Sequence, residues 1–87
     1  MISPTIGRVV WFFPSVTAGE VRQAQAQSAL VCYVHSDRLV NVGGFDCNGV
    51  PFKQTSVQLL QDDDAAPEVG FYAQWMPYQV AQAAKAV

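Results

Sequence analysis

The stretch LVNVGGFDCNGVPFKQTSVQLL, residues 39–60, decides the fold class. Asn48-Gly49 lies between two apolar runs, the strongest short-range hairpin signal, because a type I′ turn needs positive φ at both central residues. Both residues are therefore expected at the hairpin tip with φ above zero, and a strand is expected on each side. The first strand runs from Leu39 to Phe45. The second runs from about Phe52 to Leu60, with Val57 and Leu59 facing one way and Gln54, Ser56 and Gln58 the other. The Gly43-Gly44 pair suggests a bulge or the sharp bend of a barrel corner.

The same period-2 pattern extends upstream. Ala29 to His35 reads as a strand, with Leu30, Cys32 and Val34 on one face and Val31, Tyr33 and His35 on the other. Arg8 to Phe13 is β-branched and aromatic and is expected to stop at Pro14. Here Arg8, Val10 and Phe12 share one side, and Val9, Trp11 and Phe13 the other. Residues 15–27 are less decided. Thr17-Ala18-Gly19-Glu20 has capping-box spacing, but the Gln/Ala run after it has almost no apolar stripe. A long polar arm between strands is preferred to a short surface helix.

Downstream, residues 62–67 (Asp-Asp-Asp-Ala-Ala-Pro) read as a solvated acidic turn and Gly70 to Trp75 as a fifth strand. Pro77 to Lys85 reads as a short helix with proline in its first turn. The expectation is a single mainly β domain over residues 1–87. It is a small five-stranded antiparallel barrel, Src-homology-3-like, with a short C-terminal helix.

Composition narrows the function. Only 14% of the 87 residues are charged, against about 25% in an average soluble domain. A small domain has much surface per volume, so some apolar surface should be covered by another chain, a second copy or an obligate partner. Net charge is −2, and the five basic residues (Arg8, Arg22, Arg38, Lys53, Lys85) are scattered. A protein that neutralises many phosphates needs a basic surplus, so binding to duplex DNA or a membrane surface is not expected. No run of 18 apolar residues exists to span a bilayer, and Met1-Ile2-Ser3-Pro4 lacks the pattern of a secretory signal. Cys32 and Cys47 fit reduced, buried thiols in a cytosol better than a disulfide framework.

Candidate chemistry is sparse. Cys32 and His35, three apart on a strand, should point to opposite faces and not share a metal ion. His35 and Asp37 could orient an imidazole for base work, but both lie at a turn, where Asp commonly satisfies backbone donors instead; Cys47 could be a nucleophile served by that histidine, but nothing in the sequence brings the two together. Contiguous aspartates at 62–64 lack the alternation of a calcium loop, and Gly43-Gly44 lacks the strand–turn–helix context of a dinucleotide site. Neither a catalytic site, a cofactor nor a metal is expected.

The aromatic residues say more. Trp11, Phe12, Phe13, Tyr33, Phe45, Phe52, Phe71, Tyr72, Trp75 and Tyr78 exceed what so small a core should absorb. The surplus should line a subunit interface or a ligand groove. If the ligand is a nucleotide, the residues expected to hold it are Arg8, Trp11, Arg38, Trp75 and Tyr78. Arginine forks would take phosphate, and rings would stack a base.

Pro4-Thr5-Ile6-Gly7-Arg8-Val9-Val10-Trp11, Val40-Asn41-Val42-Gly43-Gly44-Phe45-Asp46, Asn48-Gly49 and Trp75-Met76-Pro77 together resemble a group of small tailed-phage and prophage proteins. That group often begins with a Pro-Thr-x-Gly-Arg-x-Val-aromatic run; its aromatic-Trp-Pro element is interrupted here by Met76. The resemblance implies a phage protein acting in the bacterial host cytoplasm. Two non-enzymatic roles fit that setting. One is a homo-oligomeric sponge that sequesters a nucleotide signal of host immunity. The other is an interaction or virion-associated module that binds a host or phage protein through an apolar, aromatic face.

Overall fold

The computed structural model describes residues 1–22 and 25–85. Its elements are β1 (Val9–Val16), β2 (Gln27–Ser36), β3 (Leu39–Phe45), β4 (Pro51–Leu60), β5 (Gly70–Gln74) and α1 (Pro77–Lys85). The strands close a barrel in the order β1-β2-β3-β4-β5. Four seams are antiparallel. The fifth departs from the expected all-antiparallel barrel, since β4 meets β5 in parallel through Leu59–Ala73 and Leu60–Gln74 alone. The connection from Gln61 to Val69 carries the chain back along the barrel, so β5 runs alongside β4.

Inward side chains fill the barrel. Val10, Phe12, Ala29, Val31, Val40, Val42, Val57, Leu59, Ala73 and Trp75 form one buried cluster, with Ile2, Val34, Phe52 and Phe71 packed against it. Phe12 holds the centre, 5.1 Å from the Phe52 ring and 6.1 Å from Phe71. Gly44 permits the closure. A Cβ there would lie 2.1 Å from the Ser28 carbonyl oxygen and 2.8 Å from the Ala29 Cα, so only glycine lets β3 approach β2 this closely.

Bulges place the outward residues. The glycine pair is in regular register on both sides, contrary to the bulge it suggested. The extra residues lie in β2 between Val31 and Tyr33 and between Val34 and Ser36, in β4 opposite Asn41, and in β1 after Phe13. The first of these flips the alternation of β2. Val31 points in, Cys32 and Tyr33 both lie exposed, and Val34 returns to the core. Cys32 and His35 therefore share the outer side instead of diverging, and both cysteines are exposed rather than buried. The β4 bulge acts likewise. Gln54 lies opposite the buried Val42, on the inward side, and not with Gln58. Ser56 takes φ 53° there, and its N–H donates to Asn41 Oδ1 at 2.9 Å.

The hairpin tip is where expected, with a different turn. Gly49 has φ 78°, but Asn48 is not in the left-handed region. Gly49 N–H donates to the Asp46 carbonyl (2.9 Å), and Asp46 N–H to the Val50 carbonyl (3.0 Å). This is a three-residue loop, a type I turn closed by a left-handed glycine. Asp46 Oδ1 selects it by accepting from both Asn48 N–H and Val50 N–H. β1 also continues through Pro14, where the bulge spares the missing N–H.

Candidate interaction surface

Each outward row of the sheet is fixed by strand pairing. Val9 lies opposite Leu30, Leu30 opposite Gly43, and Gly43 opposite Lys53. In the next row Trp11 lies opposite Ser28, Ser28 opposite Phe45, and Phe45 opposite Pro51. Paired residues in a sheet point to the same face. The outer face of β1–β2–β3 is thus a continuous field of Val9, Trp11, Ser28, Leu30, Gly43 and Phe45, extended by Cys32 and Tyr33 beyond the bulge. Leu30 is 47% exposed, Phe45 55%, Tyr33 55% and Val9 37%. The field contains no charge until Lys53. Asp46 adjoins Phe45, but its carboxylate is turned into the hairpin backbone. A shallow hollow of about 640 Å3 borders Phe45, with Gln27, Ser28 and Cys47 in its wall.

The neighbouring row on β1 and β5 is covered. Phe13 and Tyr72 stack at 4.8 Å and are buried. Arg22, from the arm between β1 and β2, lies 4.8 Å over the Tyr72 ring. Its guanidinium donates to the carbonyls of Pro14 (3.0 Å), Gly70 (2.9 Å) and Pro67 (2.9 Å). Among the described residues the arm carries no helix; residues 23–24 of the expected arm lie outside them. The Thr17–Glu20 spacing closes a turn, with Glu20 Oε1 accepting from Thr17 N–H (2.7 Å) and from its hydroxyl. Those bonds hold the Glu20 carboxyl below the usual carboxylate range.

The five residues expected to grip a nucleotide do not meet in one cleft. Arg8 and Trp75 do meet, the guanidinium 5.9 Å from the ring centroid. Trp75 is 5% exposed and belongs to the core, and its indole N–H donates to Gln61 Oε1 (3.2 Å). Arg38 is held by Asp64, with Nε 2.8 Å from Oδ2. That hydrogen bond raises the Arg38 pKa and, with the Gln61 N–H, holds the Asp64 carboxyl below its ordinary range. Asp64 is therefore a bound partner, and Asp62 beside it pairs with the Met1 ammonium at 2.9 Å, so the acidic turn is not simply solvated. Trp11 sits on the outer face described above, and Tyr78 is exposed on α1. His35 pairs through Nε2 with Asn41 Oδ1 (3.0 Å) rather than with Asp37. Among the described residues, no three His, Cys, Asp or Glu side chains converge as metal ligands would. No described helix is long and apolar enough to cross a membrane.

Sequence reasoning missed two polar anchors. Gln61 is 2% exposed. It accepts from Ile2 N–H (3.1 Å) and the Trp75 indole, and donates to the carbonyls of Ile2 (2.7 Å) and Asp37 (2.8 Å). Gln79 caps α1 by accepting from Met76 N–H (2.9 Å), and it ties the helix to β1 by donating to the Val9 carbonyl (2.9 Å). A groove of about 680 Å3 separates α1 from the barrel end, walled by Ile2, Leu60, Trp75, Val80 and Ala84. Compared with known protein families, with curated proteins and with solved structures, the chain finds no match.

Proposed function

We propose that this barrel is a non-enzymatic interaction module that binds protein through the outer face of β1–β2–β3. The observation that carries the reading is the uncharged field of exposed Val9, Leu30, Tyr33 and Phe45 with half-buried Trp11, set on paired strands of the barrel. Single exposed apolar residues are ordinary, but a contiguous field of this kind on a small domain is the mark of a binding surface. Aromatic anchors within it are the residue types that carry binding energy at protein interfaces. The phage resemblance supplies a fitting context, in which the partner is a phage or host protein.

The nucleotide-sponge reading has less geometric support. Trp75 is packed into the core, and the Arg38 guanidinium is already neutralised by Asp64. Phosphate binding there would compete with that carboxylate.

The test places a photo-crosslinking residue at Phe45 or, as a control, at exposed Gln58 in the producing cell, alongside calorimetry against linear and cyclic nucleotides. Protein adducts at position 45 alone, with no nucleotide heat, are expected. Nucleotide binding that is lost on Arg8→Ala would overturn the interaction reading in favour of the sponge.

A further inference from the structure

We infer that the occupant of this face is a second copy of the same chain, docked about a two-fold axis near Leu30. The inference rests on the interaction reading above and adds the partner. Three features point to it.

Size is the first. From the fractional exposures of Val9, Leu30, Tyr33 and Phe45, the mostly apolar field amounts to roughly 400 Å2. A standard interface buries about 800 Å2 per partner, of which about 56–65% is apolar. With the further area of half-buried Trp11 and exposed Cys32, the field comes close to the apolar share of one side of a stable dimer.

Charge is the second. A two-fold axis brings each residue near it close to its own copy, so any charge there meets its like. Neither row carries a charge between Val9 or Trp11 on β1 and Gly43 or Phe45 on β3. Lys53 lies at the margin, one strand further out. A face built to recognise an acidic or basic partner would carry the opposite charge at its centre, and this one carries only Lys53 at its margin.

Shape is the third. Leu30 stands proud of the sheet, and its directly paired neighbour Gly43 has no side chain. Knob and hole are thus adjacent on one surface. A two-fold rotation sets Leu30 into the hole at Gly43 of the partner subunit, and the reciprocal contact forms by symmetry. The hole is open to a small side chain. A Cβ on Gly43 would approach only Cys32 Sγ at 3.4 Å and the Phe52 carbonyl at 3.6 Å, with no positive φ to forbid it.

The experiment is sedimentation equilibrium of the full chain from low micromolar to submillimolar concentration, with far-UV circular dichroism and melting as controls for folding. The wild type is expected to reach twice the 9.5 kDa chain mass. Leu30→Lys sets like charges against each other and is expected to weaken association more than about a hundredfold. Gln58→Lys adds the same charge away from the face and is expected to leave association unchanged. Gly43→Ala fills the hole and is expected to weaken the dimer roughly tenfold while the barrel melts as before. A wild type that stays at 9.5 kDa throughout overturns the second-copy assignment. Position-45 crosslinks to another protein would then still uphold the interaction reading, so the two failures are distinguishable. A dimer equally insensitive to Leu30→Lys and Gly43→Ala would place the contact elsewhere and overturn the proposal.

Discussion

Replacing Gln61 by leucine keeps most of the side-chain volume and removes four hydrogen bonds at once. The Trp75 indole N–H then has no partner in a residue only 5% exposed. A buried donor left unpaired costs about 1–3 kcal/mol. The Ile2 amide and carbonyl and the Asp37 carbonyl lie nearer the surface and regain water, so together they add about 1 kcal/mol. The expected loss is about 3 kcal/mol, a large part of the roughly 4–13 kcal/mol that a chain of this length has in total. At about 4–8 °C per kcal/mol the melting temperature should fall by about 12–24 °C. Gln61→Glu separates polarity from packing. A carboxylate still accepts from Trp75 and Ile2 but offers no donor to the two carbonyls. Its deficit should shrink as acid protonates it. Chemical denaturation monitored by tryptophan fluorescence measures both variants. A Gln61→Leu protein within 1 kcal/mol of wild type would refute the idea that this residue fastens the N-terminal segment, the β2–β3 turn and the barrel end together.

Gly44→Ala is expected to cost more than about 3 kcal/mol or to prevent folding, since its Cβ would overlap the Ser28 carbonyl; a stable, soluble variant with wild-type melting would contradict the close approach of β3 to β2. At the hairpin, Gly49→Ala should cost about 1–2 kcal/mol because of its left-handed φ, while Asn48→Ala should stay within about 0.5 kcal/mol; equal losses at the two positions would restore a type I′ turn. The Asp64 carboxyl titrates below its unfolded value, held first by the Arg38 hydrogen bond. Its contribution is therefore complete above the ordinary aspartate range and is lost as pH falls through the depressed folded value. The stability gap between wild type and Asp64→Asn should accordingly be widest near neutrality and close in acid, and a gap independent of pH would count against the pairing.

What could be read from the sequence was local. Alternation and turn chemistry located all five strands, the hairpin tip and α1, because each signal lies within a few residues. Bulges broke the reading of faces. An extra residue at Cys32 or beside Ser56 reverses every side chain beyond it, and no residue type at those positions announces the insertion. The choice of a three-residue loop over type I′ depended on Asp46, whose carboxylate gathers two N–H groups. The parallel seam, the Arg22 clamp and the Gln61 hub join residues far apart in sequence, so they follow from closure of the barrel and not from any segment. Of the candidate site, what was legible was that the aromatics exceed what the core can absorb, and Tyr33, Phe45 and Tyr78 do stay exposed. Which of them remain exposed was not: Trp75 went to the core, Tyr72 under Arg22, and Phe45 to the surface.

Among the described residues, the segments outside the strands are tied down at the margin of the outer face or beyond it. The N-terminal stretch is anchored at the barrel end, through Ile2 to Gln61 and through Gly7 N–H to the Val31 carbonyl (2.8 Å). The arm is fixed over Phe13 and Tyr72 by three carbonyls on one guanidinium. α1 is bound at the Val9 carbonyl through Gln79 and leaves its own residues unburied. Among the described residues these anchors meet the face at its margin, at the Val9 carbonyl and beside Val31, and none bonds to Leu30 or Phe45 themselves. Burying the field would return about 25 cal/mol per Å2, so roughly 400 Å2 on each of two copies corresponds to about 20 kcal/mol before the costs of association. Those costs, of order 4–15 kcal/mol with further losses from ordering side chains, leave a surplus consistent with a dimer that forms at micromolar concentration. A cover drawn from any of these three segments would have to break that segment's own anchor to reach the same area. A second copy requires none of them to move.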